Sequence, residues 1–98
     1  MKYYKPLQVV SPKEYLKVIK IICDYGEKSY SIAELDWDGK ICYGIRWNIA
    51  RNEWNDEEKK NENKKCIGMP SSRGYPVWFI LPDNFNEFIE SSIVDNCK

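Results

Sequence analysis

Apolar and polar residues alternate along two neighbouring stretches, 28–35 and 40–48, and a period of two predicts a strand in each. In the first, Tyr30, Ile32 and Glu34 share one face and Ser31, Ala33 and Leu35 the other. In the second, Ile41, Tyr43, Ile45 and Trp47 share a face opposite Cys42, Gly44 and Arg46. Between them stands Asp36-Trp37-Asp38-Gly39. Asp-Gly is the dipeptide a tight hairpin prefers, because both central positions of such a turn need φ > 0. Gly44, inside a strand, marks a bulge or a place where something packs close.

The pattern before this hairpin is ambiguous. Ser11-Pro12-Lys13-Glu14 reads as a capping box with proline at the first helical position. From Tyr15 to Tyr25 the polar stripe of Lys17, Lys20 and Asp24 suits a helix closed by Gly26, whereas the β-branched residues from Val18 to Ile22 suit a strand. The preferred reading is one helical turn over 12–16 and a strand over 17–24, with the full helix as its alternative. Residues 1–14 otherwise form an extended lead-in.

After the hairpin, residues 49–63 are polar, asparagine-rich and balanced in charge, which predicts a mobile loop with Trp54 as its main apolar anchor. A short strand is expected over 64–69 and a turn at Pro70-Ser71-Ser72-Arg73-Gly74. The most apolar run of the chain, 75–81, is expected to be a buried strand. Asp83 then caps a final helix to about Val94. Phe85, Phe88, Ile89 and Ile93 fall at i, i+3, i+4 and i+8, one apolar face set on the sheet or on a second copy. The sum is a single α+β domain over 1–98, an antiparallel sheet of four to five strands followed by one C-terminal amphipathic helix.

Trp37-Asp38-Gly39-Lys40 running into Ile45-Arg46, then Lys64-Lys65, then Ile80-Leu81-Pro82 with Phe85 opening the helix, resembles the transcriptional positive cofactor four family. The resemblance spans about 60 residues, from Lys28 to Ile93. It implies a curved sheet, a homodimer made through the C-terminal helix, and transcription- or replication-associated binding of single-stranded DNA. Residue by residue it sets Trp37, Lys40, Arg46, Lys64 and Lys65 against the nucleic acid. Residues 69–77 are an insertion relative to that pattern.

Each of these residues also has a plainer reading. Trp37 either stacks on a base or folds over the sheet and staples the turn. Lys40 and Arg46 either meet phosphates or pair with Glu34 or Asp36 across the hairpin. Trp47 and Trp78 read as core. Ser71, Ser72 and Arg73 resemble an anion-binding nest, although turn chemistry explains the same residues.

Charge changes this picture. Fifteen basic and fifteen acidic groups leave a net charge of zero. Even the dense stretch 51–65 holds five of each sign, so the chain is not a general polyanion binder. A protein-interaction domain is therefore the alternative, since surplus Trp, Tyr and Arg anchor interfaces. A phage-borne or mobile-element accessory protein acting on a host protein fits that class. Histidine is absent, and Cys23, Cys42, Cys66 and Cys97 form no CxxC pair, so no metal or other cofactor is expected. The cysteines are expected to be free thiols. No enzyme is expected either: Asp36 and Asp38 are turn formers, and Cys42 would need a depressed pKa to act as a nucleophile. No run is apolar enough to span a membrane, and residues 1–6 lack a signal-peptide core, so a cytoplasmic location is expected.

Overall fold

Isoleucine and valine keep the 17–22 run extended, and the full-helix alternative for Tyr15 to Tyr25 does not occur. The computed structural model describes residues 1–93, with side chains through residue 91. Strand β1 is Leu16–Asp24, β2 Tyr30–Trp37 and β3 Lys40–Trp47. A single turn precedes β1, in which the Tyr15 and Leu16 amides both donate to the Pro12 carbonyl. The three strands pair antiparallel, and Phe79–Ile80 adds a two-residue edge strand, β6, against Gly44 and Ile45. The result is an open four-stranded sheet of order β1-β2-β3-β6. The β2–β3 turn is the expected one: Trp37 pairs with Lys40, leaving Asp38 (φ 51°) and Gly39 (φ 88°) as its two central residues. The Asp36 carboxylate accepts from the Gly39 amide at 2.8 Å and locks it.

The outer edge is β1. It carries register shifts between Val18 and Lys20 and between Ile21 and Cys23, with Lys17 and Lys20 exposed. Bulges and lysines are the devices by which sheets discourage edge-to-edge association.

Both faces of the sheet are covered. On one, Leu16, Ala33, Leu35 and Cys42 pack with Val9 and Trp78. Val9 follows a 3-10 turn at Pro6–Gln8, so the lead-in forms part of the core. The Trp78 indole satisfies its N–H on the Val9 carbonyl at 2.8 Å. On the other face, Ile32 and Tyr43 pack against Ile89 of α2, Asn86–Ile93. The Tyr43 hydroxyl donates to Glu90 at 2.9 Å, and burial followed by that carboxylate pushes the phenol up to about 12.

Gly44 is the close approach its position suggested. A Cβ there would stand 2.5 Å from Leu35 Cδ1 and 3.1 Å from Trp78 Cβ. Gly44→Ala is expected to lower stability by about 1–3 kcal/mol through overpacking, read from the urea midpoint. An unchanged midpoint would mean that Trp78 does not press on this strand.

Several expectations are corrected. The apolar run 75–81 is not one buried strand. Tyr75–Pro76 (β5) pairs with Ser71–Ser72 (β4) in a separate hairpin, Val77 and Trp78 leave the ladder, and only then does β6 begin. Tyr75 and Phe79 point outward. The 64–69 strand reduces to isolated bridges, Tyr3 to Cys66 and Trp47 to Met69. Residues 49–63, expected as a mobile loop, hold a 3-10 turn at Arg51–Asn55 and the helical turn α1 at Glu57–Lys60. Their anchor is buried Glu53, while Trp54 is only half-buried. The final helix begins with a 3-10 turn at Asp83–Phe85. Of its expected apolar face only Ile89 is buried; Phe85 and Phe88 are exposed, and the Ile93 side chain lies outside the described residues. Cys42 and Cys66 are buried free thiols, but Cys23 is disulfide-bonded. No helix among the described residues is long and apolar enough to cross a membrane.

Candidate functional site

The residues singled out in the sequence do not converge. Trp37 and Lys40 sit at the hairpin tip. Trp37 is just over one-third exposed, with its ring 6.1 Å from that of Tyr15, while the Asp38 amide donates to the Tyr15 carbonyl. It therefore leans on the start of β1, as the staple reading has it. Lys40 donates to the Asp83 carboxylate at 2.6 Å, and that hydrogen bond raises its pKa. Both partners are exposed, so the pair contributes little to stability.

Arg46 is 3% exposed and points into the protein. Its guanidinium donates to the carbonyls of Ile67, Pro70 and Val77, and Nε has no partner. Burial pulls it down to about 10, with the charge of Glu53 opposing the fall, so it stays protonated at neutral pH. Neither Glu34 nor Asp36 pairs with it. Its neighbours are the chain segments that come after β3, which it ties to the sheet.

Lys64 and Lys65 are exposed at the far end. The Cys66 amide joins the Lys2 carbonyl, and the Tyr3 hydroxyl reaches Asp24, where β1 ends. Trp37, by contrast, pairs with Leu16, where β1 begins. Lys65 lies 5.0 Å over the Tyr4 ring. Ser71, Ser72 and Arg73 belong to the β4–β5 hairpin, with Arg73 (φ 52°) and Gly74 (φ 82°) as its two-residue turn.

A different surface comes together instead. β3 is about 26 Å long at 3.3 Å per residue, and the eight residues of α2 span about 12 Å. The helix covers the Ile32–Tyr43 centre of its face and leaves the Trp47 end open. There Trp47 is 53% exposed, Met69 53% and Phe79 58%. Register explains the grouping. Phe79 pairs with Ile45 and Tyr30 with Trp47, and the Trp47 and Met69 backbones exchange hydrogen bonds of 2.7 and 3.1 Å. The Tyr30 ring meets Trp47 edge-on, 5.8 Å between centroids.

Two grooves share Trp47 and Met69 as a common wall. One, of about 400 Å³, lies among Tyr30, Ile45, Pro70 and Phe79. The other, of about 660 Å³, is floored by Ile49, Ala50 and Trp54, with Glu27, Lys28 and Arg51 along its sides.

No protein-family model, curated protein or solved structure matches this chain.

A buried carboxylate ties together the segments that lead into the grooves. Glu53 Oε1 accepts from the Ala50 and Gly68 amides, each at 2.8 Å, and Oε2 from the Ile67 amide at 2.7 Å and Lys59 Nζ at 2.6 Å. Burial pushes this carboxyl up, but Lys59 and the three amides outweigh it and leave the pKa lowered. Gly68 must be glycine: its φ is +76°, and a Cβ would overlap the Trp47 and Asn48 carbonyls and the Arg46 guanidinium. The thiols of Cys42 and Cys66 are shifted upward, first by burial, the reverse of what a cysteine nucleophile needs.

Alternation assigned Trp47 to the core because its row includes Ile41, Tyr43 and Ile45. No local feature separates Trp47 from that row, and its 53% exposure follows from what packs on the sheet. Nothing local to Met69 or Phe79 marks them as surface.

Proposed function

We propose that this chain is a protein-interaction module whose contact surface is built on Trp47, Met69 and Phe79. The observation that carries the reading is the exposure of these three large side chains on one face, beside two preformed apolar grooves. Monomeric proteins seldom leave such a cluster open without a use for it, and buried tryptophan anchors are what interfaces are built around. The partner is a segment of another protein able to place aliphatic or aromatic side chains in the grooves.

Single-stranded nucleic-acid binding is the second reading, supported by Trp37 and Lys40 standing together at the exposed hairpin tip. It draws less on the geometry. Arg46 is buried on backbone carbonyls, Lys40 is engaged by Asp83, and Lys64-Lys65 lie at the other end of β1.

Panning the chain against a random dodecapeptide display library separates the two. Selected peptides are expected to lose about 30-fold or more in affinity on Trp47→Ala, the scale of a hot spot of ~2 kcal/mol. Failure to select any peptide, or peptides indifferent to Trp47→Ala, would reject the module. Quenching of tryptophan fluorescence by an oligothymidine, lost on Trp37→Ala, would put the nucleic-acid reading in its place.

A further inference from the structure

The charges beside the larger groove are not balanced, although those of the whole chain are. Three charged residues line it: Glu27, Lys28 and Arg51. The Glu27 carboxylate is already taken by the Met1 amino group at 2.8 Å, which holds its pKa below the usual carboxylate range. Lys28 and Arg51 are exposed, and neither forms a direct ion pair among the described residues. The groove mouth thus carries a surplus of positive charge, Lys28 sharing Glu27 with the Met1 amino group and Arg51 pairing with no carboxylate among the described residues, beside an apolar lining of Ile49, Ala50 and Trp54. The smaller groove beyond Trp47 has no charged residue in its wall except Arg46, whose guanidinium is spent on three carbonyls.

Resting on the interaction reading, we propose that the partner is an acidic linear segment. It seats an apolar side chain against Trp47, Met69 and Phe79 and sets carboxylates against Lys28 and Arg51. Charge complementarity of this kind fixes register and partner choice, and it speeds encounter more than it deepens affinity. Arg51 suits a carboxylate particularly well, because its planar fork takes both oxygens at once. Two cations are enough to orient a short acidic flank. They are too few for a polynucleotide, whose affinity grows with each phosphate neutralised. Trp47 and Met69 line both grooves, so an extended peptide that crosses them meets the cations on one side and the Phe79 groove on the other.

The test is to pan the same dodecapeptide library on the wild-type chain and on Lys28→Glu/Arg51→Glu, two exposed positions whose change leaves the core alone, with folding checked by circular dichroism. Wild type is expected to select an apolar anchor flanked by Asp or Glu. The charge-reversed variant is expected to bind those peptides at least tenfold more weakly and to select Lys or Arg flanks. Trp47→Ala should lose both sets. Peptides that need Trp47 but show no acidic bias, or that bind the charge-reversed variant unchanged, overturn the acidic partner and leave the interaction module standing. Peptides indifferent to Trp47 remove both. Displacement of selected peptides by an oligothymidine, or self-association of the chain abolished by Trp47→Ala, would also overturn the proposal, assigning the surface to a nucleic acid or to a second copy.

Discussion

Arg46→Met is expected to lower stability by about 3–5 kcal/mol. The substitution keeps much of the aliphatic stem but strips a hydrogen-bond donor from the carbonyls of Ile67, Pro70 and Val77. A buried acceptor left without a donor costs about 1–3 kcal/mol, and three are affected, offset in part by relief of a buried charge that has no direct carboxylate partner. Arg46→Lys should recover less than half of the loss, because a single ammonium cannot serve three carbonyls spread over residues 67–77. Urea unfolding of the three proteins at pH 7 is the measurement. The result also bears on the nucleic-acid reading. An exposed phosphate contact can be replaced with a stability change within about 0.5 kcal/mol. If Arg46→Met unfolds at the wild-type midpoint, its side chain is not the tie described here and regains its place among candidate nucleic-acid contacts.

The same residue shows where the sequence stops being legible. Period-two alternation placed Arg46 opposite Trp47, which is correct, and both readings of its charge, a phosphate contact or a pair with Glu34 or Asp36, assumed an exposed side chain. That assumption fails because residues 67–78 return across the sheet, and their arrival depends on contacts 21 to 31 residues away. The split of 75–81 has the same origin. Its composition is that of a buried strand, but the Val77 carbonyl is taken by Arg46 and Trp78 is driven under Gly44, so the ladder breaks between β5 and β6. Features whose cause is local were legible. Asp38-Gly39 set the hairpin and its register within a few residues, and the β-branched run of β1 favoured strand over the helix that remained its alternative. Gly44 was legible as a close approach, though not what would approach it.

The candidate surface was hidden for a related reason. Trp47, Met69 and Phe79 lie on three separate segments, of which Trp47 read as core, Phe79 as part of a buried strand and Met69 as the end of a short strand. Only the pairing of Met69 with Trp47 and of Phe79 with Ile45 assembles them. Charge was similarly opaque. A net of zero says nothing about Glu27 being engaged by the amino terminus while Arg51 pairs with no carboxylate among the described residues.

Glu53→Gln tests the segment that shapes the larger groove, and a loss of about 3–5 kcal/mol at pH 7 is expected. Glutamine is nearly isosteric, so the change is one of donors and acceptors. Glu53 accepts four hydrogen bonds, two on each oxygen. A glutamine turns one acceptor into an NH₂ group that faces two donors, and it removes the carboxylate with which half-buried Lys59 is paired. The pH dependence gives an independent reading. The folded-state pKa of Glu53 is lowered from its ordinary value of 4.5, so the native state holds the proton less tightly than the unfolded chain. Its contribution is therefore fully present above about pH 4.5 and disappears as pH falls through the depressed folded value. Wild type should lose stability over that acidic window, and the gap between it and Glu53→Gln should narrow there. A gap that stays constant from pH 7 to pH 3 would mean that the carboxylate charge is not what holds Ala50, Ile67 and Gly68 together. Because Ala50 lines the larger groove and Ile67 and Gly68 lead into Met69, Glu53→Gln should also weaken peptide binding at concentrations where it is still folded, whereas Lys28→Glu should weaken binding with no change in stability.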